Sequence, residues 1–296
     1  MSQLLAPNHE ELRAEMLGKV VIVTGGAQGI GFAISEMFAI SGANVVIADL
    51  DEELGRKTAK TIGRGTSSTK CDVTSWADQV KLFEDTVRRY GRLDLVVCNA
   101  GIDPELTLST CLDGPELASA KSQVKYNFLA DEYVEGSSGS LRPPTTTVMD
   151  VNFTGVVYNL KLAIHHMRRR GGKIVVIGSA AGYISEPVQS LYCASKHAVL
   201  GLVRATSRKA ECIENDISIA MVAPWLTDTP MTSNLWPRLT EGQPTSSARD
   251  VAAAVSIIAT QPAEIINGKS IWVQGQIYTE VESSIAECLD KLIFHS

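Results

Sequence analysis

Lys19-Val20-Val21-Ile22-Val23 runs straight into Thr24-Gly25-Gly26-Ala27-Gln28-Gly29-Ile30-Gly31, and then into the helical pattern Phe32 to Ile40. The first five residues form a continuous β-branched run, which reads as a strand buried on both faces. The order strand, glycine turn, helix is the context that gives a glycine motif meaning. Glycine permits the tight turn and lets backbone N–H groups approach a pyrophosphate at the positive end of a helix. The next strand, Asn44-Val45-Val46-Ile47-Ala48, ends in Asp49. An acidic residue about 20 residues beyond a glycine turn accepts hydrogen bonds from the adenosine ribose in dinucleotide folds. A carboxylate there repels a 2′-phosphate, and Gln28 in the turn brings no cation to meet one. Both features favour NAD over NADP. Asp49 standing one turn ahead of a helix near Asp51 has a capping role open to it as well.

The same alternation continues. A helix over Glu52 to Ile62 leads to a strand ending Lys70-Cys71-Asp72-Val73, and a helix over Trp76 to Tyr90 closes at Gly91. Leu93 to Cys98 is a fourth strand, followed by Asn99-Ala100-Gly101. Thr145 to His166 reads as one long helix, and Lys173 to Gly178 as a strand delivering Ser179. A helix carrying Tyr192, a strand over Ile217 to Val222, a helix over Ala248 to Ile258 and a strand over Lys269 to Val273 complete the pattern. Strands and helices alternating at this length predict an α/β fold, a Rossmann-type doubly wound parallel sheet of about seven strands with helices on both faces. Ligands lie at the carboxyl ends of such strands.

Residues 103–144 break the pattern. They are polar and mixed, with Gly136-Ser137-Ser138-Gly139-Ser140 at their centre. We read them as an insertion on the active-site side, a lid or a partly disordered segment, within one domain covering 1–296. A Pro/Thr-rich loop over residues 225–245 carries Trp225, Leu226, Met231, Leu235 and Trp236, and a C-terminal extension over 276–296 has a helical pattern.

The chain has 296 residues, 45% hydrophobic and 20% charged, with a net charge of −6. This suits a globular core and argues against a nucleic-acid partner. Met167-Arg168-Arg169-Arg170 closes a helix, where cations favour the dipole. Cys71, Cys98, Cys111, Cys193, Cys212 and Cys288 show no paired metal-ligand spacing, so no metal site is expected. Reduced thiols and a leader without signal-peptide character point to the cytoplasm. No apolar run approaches the ~18 residues of a membrane span.

Tyr192-Cys193-Ala194-Ser195-Lys196 sets a phenol and an ammonium one helical turn apart. A phenol with its pKa of about 10 is a poor base. A neighbouring ammonium, or a cationic cofactor ring, favours the phenolate and turns the pair into an acid/base for alcohol and carbonyl chemistry. His165, His166 and His197 lie in helices and read as surface or packing residues.

The glycine turn, Asn99-Ala100-Gly101, Asn152, Ser179, Tyr192 and Lys196, in that order and each at the end of its strand or on its helix, resemble the short-chain dehydrogenase/reductase family over roughly residues 17–275. The resemblance implies Tyr192 as acid/base and Lys196 as the ligand of the nicotinamide ribose. It implies Ser179 as a hydrogen-bond partner of the reacting oxygen, and Asn152 as the holder of a water linked to Lys196. It also implies that Gly25, Gln28, Gly29, Ile30 and Gly31 cradle the pyrophosphate, and that Asp72, Val73, Asn99, Ala100 and Gly101 line the adenosine side. Pro224 and Thr229 would then meet the nicotinamide. Trp225 stands where the family carries glycine, which restricts the turn and brings an indole towards the nicotinamide or the substrate.

Within the family, Pro224-Trp225-Leu226-Thr227-Asp228-Thr229-Pro230-Met231 and Arg142-Pro143-Pro144 resemble fungal members of secondary metabolism, similar to 15-hydroxyprostaglandin dehydrogenase and hydroxyaverantin dehydrogenase. That implies a bulky, apolar secondary alcohol or ketone such as a polyketide or terpenoid, with Trp225, Met231 and Trp236 as substrate contacts. It also implies a homodimer or homotetramer. Two other functions fit the same fold: a net non-redox cyclisation or isomerisation, and non-catalytic dinucleotide binding.

Overall fold

The computed structural model describes residues 2–105, 128–129, 133–134, 139–187, 189–232 and 242–294. Its centre is a nine-stranded sheet. In chain order the strands are β1 (Ser2–Leu4), β2 (Val20–Thr24), β3 (Asn44–Asp49), β4 (Ser67–Lys70), β5 (Leu95–Cys98), β6 (Gly172–Ile177), β7 (Ile217–Pro224), β10 (Ser270–Gln274) and β11 (Ile277–Glu280). Two short strands, β8 (Thr227–Asp228) and β9 (Ser246–Ser247), pair apart from it. The order across the sheet is β1-β11-β10-β7-β6-β5-β2-β3-β4. From β10 to β4 every pairing is parallel, whereas β11 and β1 are antiparallel.

Alternation along β2 builds two cores. Val21 and Val23 point into one apolar layer, Val20 and Ile22 into the other, and all four are at most 1% exposed. Period-two geometry requires this when helices cover both faces. The first layer packs α2 (Gly29–Ile40) and α7 (Ala248–Thr260) on the sheet through Ile34, Phe38, Val251 and Val255. The second packs α4 (Trp76–Tyr90), α5 (Gly155–Met167) and α6 (Ser190–Thr206) through Leu82, Phe83, Leu160 and Val199. Two further helices, α1 (His9–Met16) and α3 (Glu52–Ile62), complete the amino-terminal half.

Two sheet strands exceed the seven expected. β11 lies inside the stretch read as a helical tail, and β1 ahead of the first strand read from the sequence. Register explains β11: Ile271, Trp272, Val273 and Gln274 pair with Glu280, Thr279, Tyr278 and Ile277 across a turn at Gly275 (φ 59°). α8 (Glu282–Phe294) then follows, tied down where Glu282 accepts bonds from Arg204 Nε (2.6 Å) and the Tyr183 hydroxyl (2.5 Å). The helix expected over 145–166 is interrupted by a π-turn, Asp150–Thr154, directly before α5. The fourth strand in chain order stops at Lys70, so Cys71, Asp72 and Val73 lie beyond it, and most of the 103–144 insertion falls outside the described residues. Among the described residues, no helix is long and apolar enough to cross a membrane.

The chain leaves β2 for β3 and β4 on one side, then returns to place β5, β6, β7 and β10 on the other. The crevice between the carboxyl ends of β2 and β5 is the topological switch point, where α/β sheets bind ligands.

Candidate active site

At that crevice the two strand ends are packed backbone to backbone. Val23 is level with Val97, so the glycine turn and Asn99-Ala100-Gly101 emerge side by side. A Cβ on Gly25 would lie 2.9 Å from the Ala100 Cα, and one on Gly31 only 2.0 Å from the Gly25 carbonyl oxygen. Gly25 and Gly29 have φ of 60° and 54°, a region that favours glycine. Asn99 stitches the strands together: its Nδ2 donates to the carbonyls of Thr24 (3.0 Å) and Gly25 (2.9 Å), while its own N–H donates to Thr24 Oγ1 (3.0 Å). Asn99 thus shapes the turn as well as lining the cavity.

Asp49 is also engaged with the turn. Its carboxylate accepts the N–H of Ala27 (3.0 Å) and of Asp51 (3.1 Å), while the cap of α3 comes from Asp51. Asp72 accepts the N–H (2.9 Å) and hydroxyl (2.7 Å) of Thr74.

A cavity of about 620 Å³ runs from this turn along the carboxyl edge of the sheet. Gly25, Gln28, Gly29, Ile30 and Asp49 line one end, and Asp72, Val73, Asn99, Ala100 and Gly101 the wall beside it. Ser179, Tyr192 and Lys196 also line the cavity with Pro224, Trp225 and Met231, and Thr229 lines it beside Gly29. Two sequence candidates stand outside the lining. Gly31 is packed behind the turn against Gly25, and Asn152 sits behind Ile102. Trp236 lies outside the described residues.

Tyr192 and Lys196 project from α6 as the one-turn spacing requires, with Lys196 Nζ 5.4 Å from the Tyr192 ring centre. Lys196 is 6% exposed and donates to the Ile177 carbonyl at 3.1 Å. Burial lowers its pKa to about 8, against an opposing pull from Asp103. Burial likewise raises the Tyr192 phenol well above its usual range, Asp103 pushes it the same way, and the Ser179 hydroxyl opposes both. Among the protein residues alone, burial is the largest influence on the phenol.

Asn152 is held by the π-turn so that its amide faces Ile102. Its Oδ1 accepts the Ile102 N–H (2.8 Å), and its Nδ2 donates to the Ile102 carbonyl (2.9 Å) and to Ser195 Oγ (3.1 Å). A Cβ on Gly101 would stand 3.3 Å from Asn152 Oδ1 and 3.8 Å from Lys196 Nζ, so both side chains approach Gly101.

Trp225 needs no glycine-like backbone. Its N–H donates to the Val273 carbonyl (2.9 Å), continuing the pairing of β7 with β10, and its indole stacks on Trp272 at 5.8 Å. Thr229 packs beside the glycine turn, its Cβ 3.6 Å from where a Gly29 Cβ would be.

The short chain dehydrogenase model matches residues 19–128 and 139–240. The chain belongs to the short-chain dehydrogenase family. Its relatives include the short-chain dehydrogenase/reductase prx4 of Penicillium roqueforti, 32% identical over 91% of this chain and 78% of the relative. The 5′-hydroxyaverantin dehydrogenase of Dothistroma septosporum is 34% identical over 74% of this chain and 70% of its own length. The (+)-cis,cis-nepetalactol synthase NEPS3 of Nepeta racemosa is 31% identical over 92% and 96%. The fungal resemblance read from the sequence is thus present among its relatives.

Family membership implies an NAD(P) cofactor, and the residues fit one. The first turn of α2 has neither a side-chain cap nor an acidic residue, which suits an anionic pyrophosphate at its N–H groups. The turn below is all but closed to side-chain atoms, leaving backbone to meet it.

Three site residues escaped the sequence reading: Asp103, Glu105 and Gln189. All come from loops or helix starts with no periodic signal. Asp103 and Glu105 are 6% and 7% exposed, and buried carboxylates in a polar stretch are legible only once the fold is known.

Proposed function

We propose that the protein is an NAD-dependent oxidoreductase that interconverts a bulky, apolar secondary alcohol and its ketone in the cytoplasm, within secondary metabolism. The observation that carries this reading is the convergence of Ser179, Tyr192 and Lys196 on a cavity that the glycine turn also lines. Tyr192 is the acid/base, and Ser179 lines the cavity with it, where a carbinol or carbonyl oxygen must sit. Lys196 and Asn152, which both approach Gly101, provide the proton path behind it. When bound, the oxidised nicotinamide would supply the hydride acceptor and a second positive charge in the site.

NAD is favoured over NADP because Asp49 lines the turn end of the cavity and Lys196 is the one cation among the described lining residues. A 2′-phosphate would face a carboxylate with no compensating charge. The substrate end supports an apolar molecule: Ile184, Trp225, Leu226 and Met231 line it. We take Trp225, Met231 and Trp236 as substrate contacts and the active form as a homodimer or homotetramer.

The test is turnover of a panel of bicyclic secondary alcohols, 1-tetralol among them, with NAD or NADP, read as reduced-cofactor absorbance. NAD-linked oxidation that disappears in Tyr192→Phe supports the reading. Oxidation surviving in Tyr192→Phe would remove the acid/base assignment. A relative named as a synthase makes a net non-redox reaction the second reading. Product formed without net NADH would favour it.

A further inference from the structure

The stretch that follows β5 touches both halves of the catalytic apparatus within four residues. Ile102 is held through its N–H and its carbonyl by Asn152. Asp103 accepts a short hydrogen bond from the Gln189 amide. Glu105 accepts the backbone N–H of Tyr192 at 2.8 Å through Oε2 and that of Leu191 at 3.2 Å through Oε1. Asp103 and Glu105 are both buried.

These bonds solve a defect at the start of α6. A helix leaves its first N–H groups without internal partners, and an N-cap side chain normally serves those at the second and third positions. Here the N-cap residue is Gln189, which makes no capping bond to its own helix and whose amide is turned to Asp103. Leu191 and Tyr192 occupy the second and third positions. Glu105 therefore caps the helix from 87 residues away, and as a carboxylate at the positive helix end it adds favourable charge. The group it holds is the backbone of Tyr192 itself.

We propose that Glu105, supported by Asp103 through Gln189, is a positioning residue that fixes Tyr192 relative to Asn152 and the cofactor wall. This rests on the acid/base assignment of Tyr192. Because Ile102 and Glu105 belong to one short stretch, a displacement at the helix start changes the distance between the phenol and the Asn152–Lys196 pair. The glycine turn is untouched.

The experiment compares wild type, Glu105→Ala, Glu105→Gln and Tyr192→Phe in NAD-linked oxidation of 1-tetralol, alongside NADH binding by fluorescence and thermal unfolding. Glu105→Ala is expected to lower kcat by about 10- to 100-fold, the scale on which small misplacements of a catalytic group act. NADH affinity and KM stay unchanged. Glu105→Gln, which keeps an acceptor oxygen, recovers most of kcat. An unchanged kcat in Glu105→Ala, with Tyr192→Phe inactive, overturns the proposal while leaving the tyrosine assignment standing. A parallel fall of kcat, NADH affinity and thermal stability that Glu105→Gln does not rescue also overturns it, since that is the signature of a merely structural residue. Activity in Tyr192→Phe would instead strike at the assignment on which the proposal rests.

Discussion

Replacing Lys196 with Met removes a buried charge, and the cost of that charge has a definite pH signature. Lys196 is 6% exposed, and burial takes its pKa from 10.5 to about 8. The gap is roughly two to three pKa units, which corresponds to about 3 kcal/mol. The folded value lies below the unfolded one, so the folded state binds the proton more weakly. Stability associated with this group is present in full above the unfolded value of 10.5 and is lost as pH falls through about 8. Lys196→Met has no such dependence. It does orphan the Ile177 carbonyl, which accepts from Nζ at 3.1 Å, at a pH-independent cost of about 1–3 kcal/mol. The variant is therefore expected to be about as stable as wild type near neutrality. Wild type should then gain on it by roughly 3 kcal/mol as pH rises from about 7 towards 10.5. Urea unfolding of both proteins by circular dichroism, free of cofactor and across that window, measures the difference directly, and other titrating groups cancel. A difference that stays flat would show that Lys196 titrates as it does in water and refute the desolvation argument.

Two glycines give opposite expectations for one substitution. Gly31→Ala sets a carbon 2.0 Å from the Gly25 oxygen, where ordinary contact begins at 3.4 Å, and both sides are backbone. Unfolding experiments should show a loss of at least 1–3 kcal/mol, typical of ~one-carbon overpacking, together with weakened NADH binding. Gly201→Ala, on α6 with nothing within 4 Å, should gain about 0.5–1 kcal/mol and leave binding alone. Asp49→Asn keeps an acceptor for the Ala27 N–H but discards the charge, so fluorescence titration should show NADPH gaining on NADH. An unchanged ratio would take cofactor selection away from Asp49.

Most of the sheet was legible because its strands are buried on both faces, and burial on both faces forces continuous apolar runs such as Val20 to Val23. The helices over Glu52–Ile62 and Trp76–Tyr90 were legible to the residue, since Asp51 and Ser75 cap their starts and Gly63 and Gly91 end them at positive φ. What escaped is what lacks a two-sided environment. β1 is three residues long, and β11 carries an exposed Ile277 beside a buried Tyr278, a pattern too brief to separate from the start of a helix. The π-turn around Asn152 escaped because adding one residue to a helical turn leaves no mark in composition. Its consequence, the amide aimed at Ile102, is visible only in the bonds.

The active site divides along the same line. Groups whose identity is dictated by chemistry, Tyr192, Lys196, Ser179 and the glycines, announce themselves through spacing after a strand or within one helical turn. Groups that only hold others in place have no such constraint. Glu105 needs a carboxylate at a certain point in space and nothing particular about its neighbours, and its partners lie 86 and 87 residues further along the chain. Asn99 shows the intermediate case. Its place after β5 puts it in the cavity wall, and its bonds to Thr24 and Gly25 also hold the glycine turn. A residue can therefore be found for one role and owe its identity to another. The two separate by measurement: Asn99→Asp keeps the size and an acceptor but cannot donate to both carbonyls, so it should disturb the turn before it disturbs any contact with adenosine.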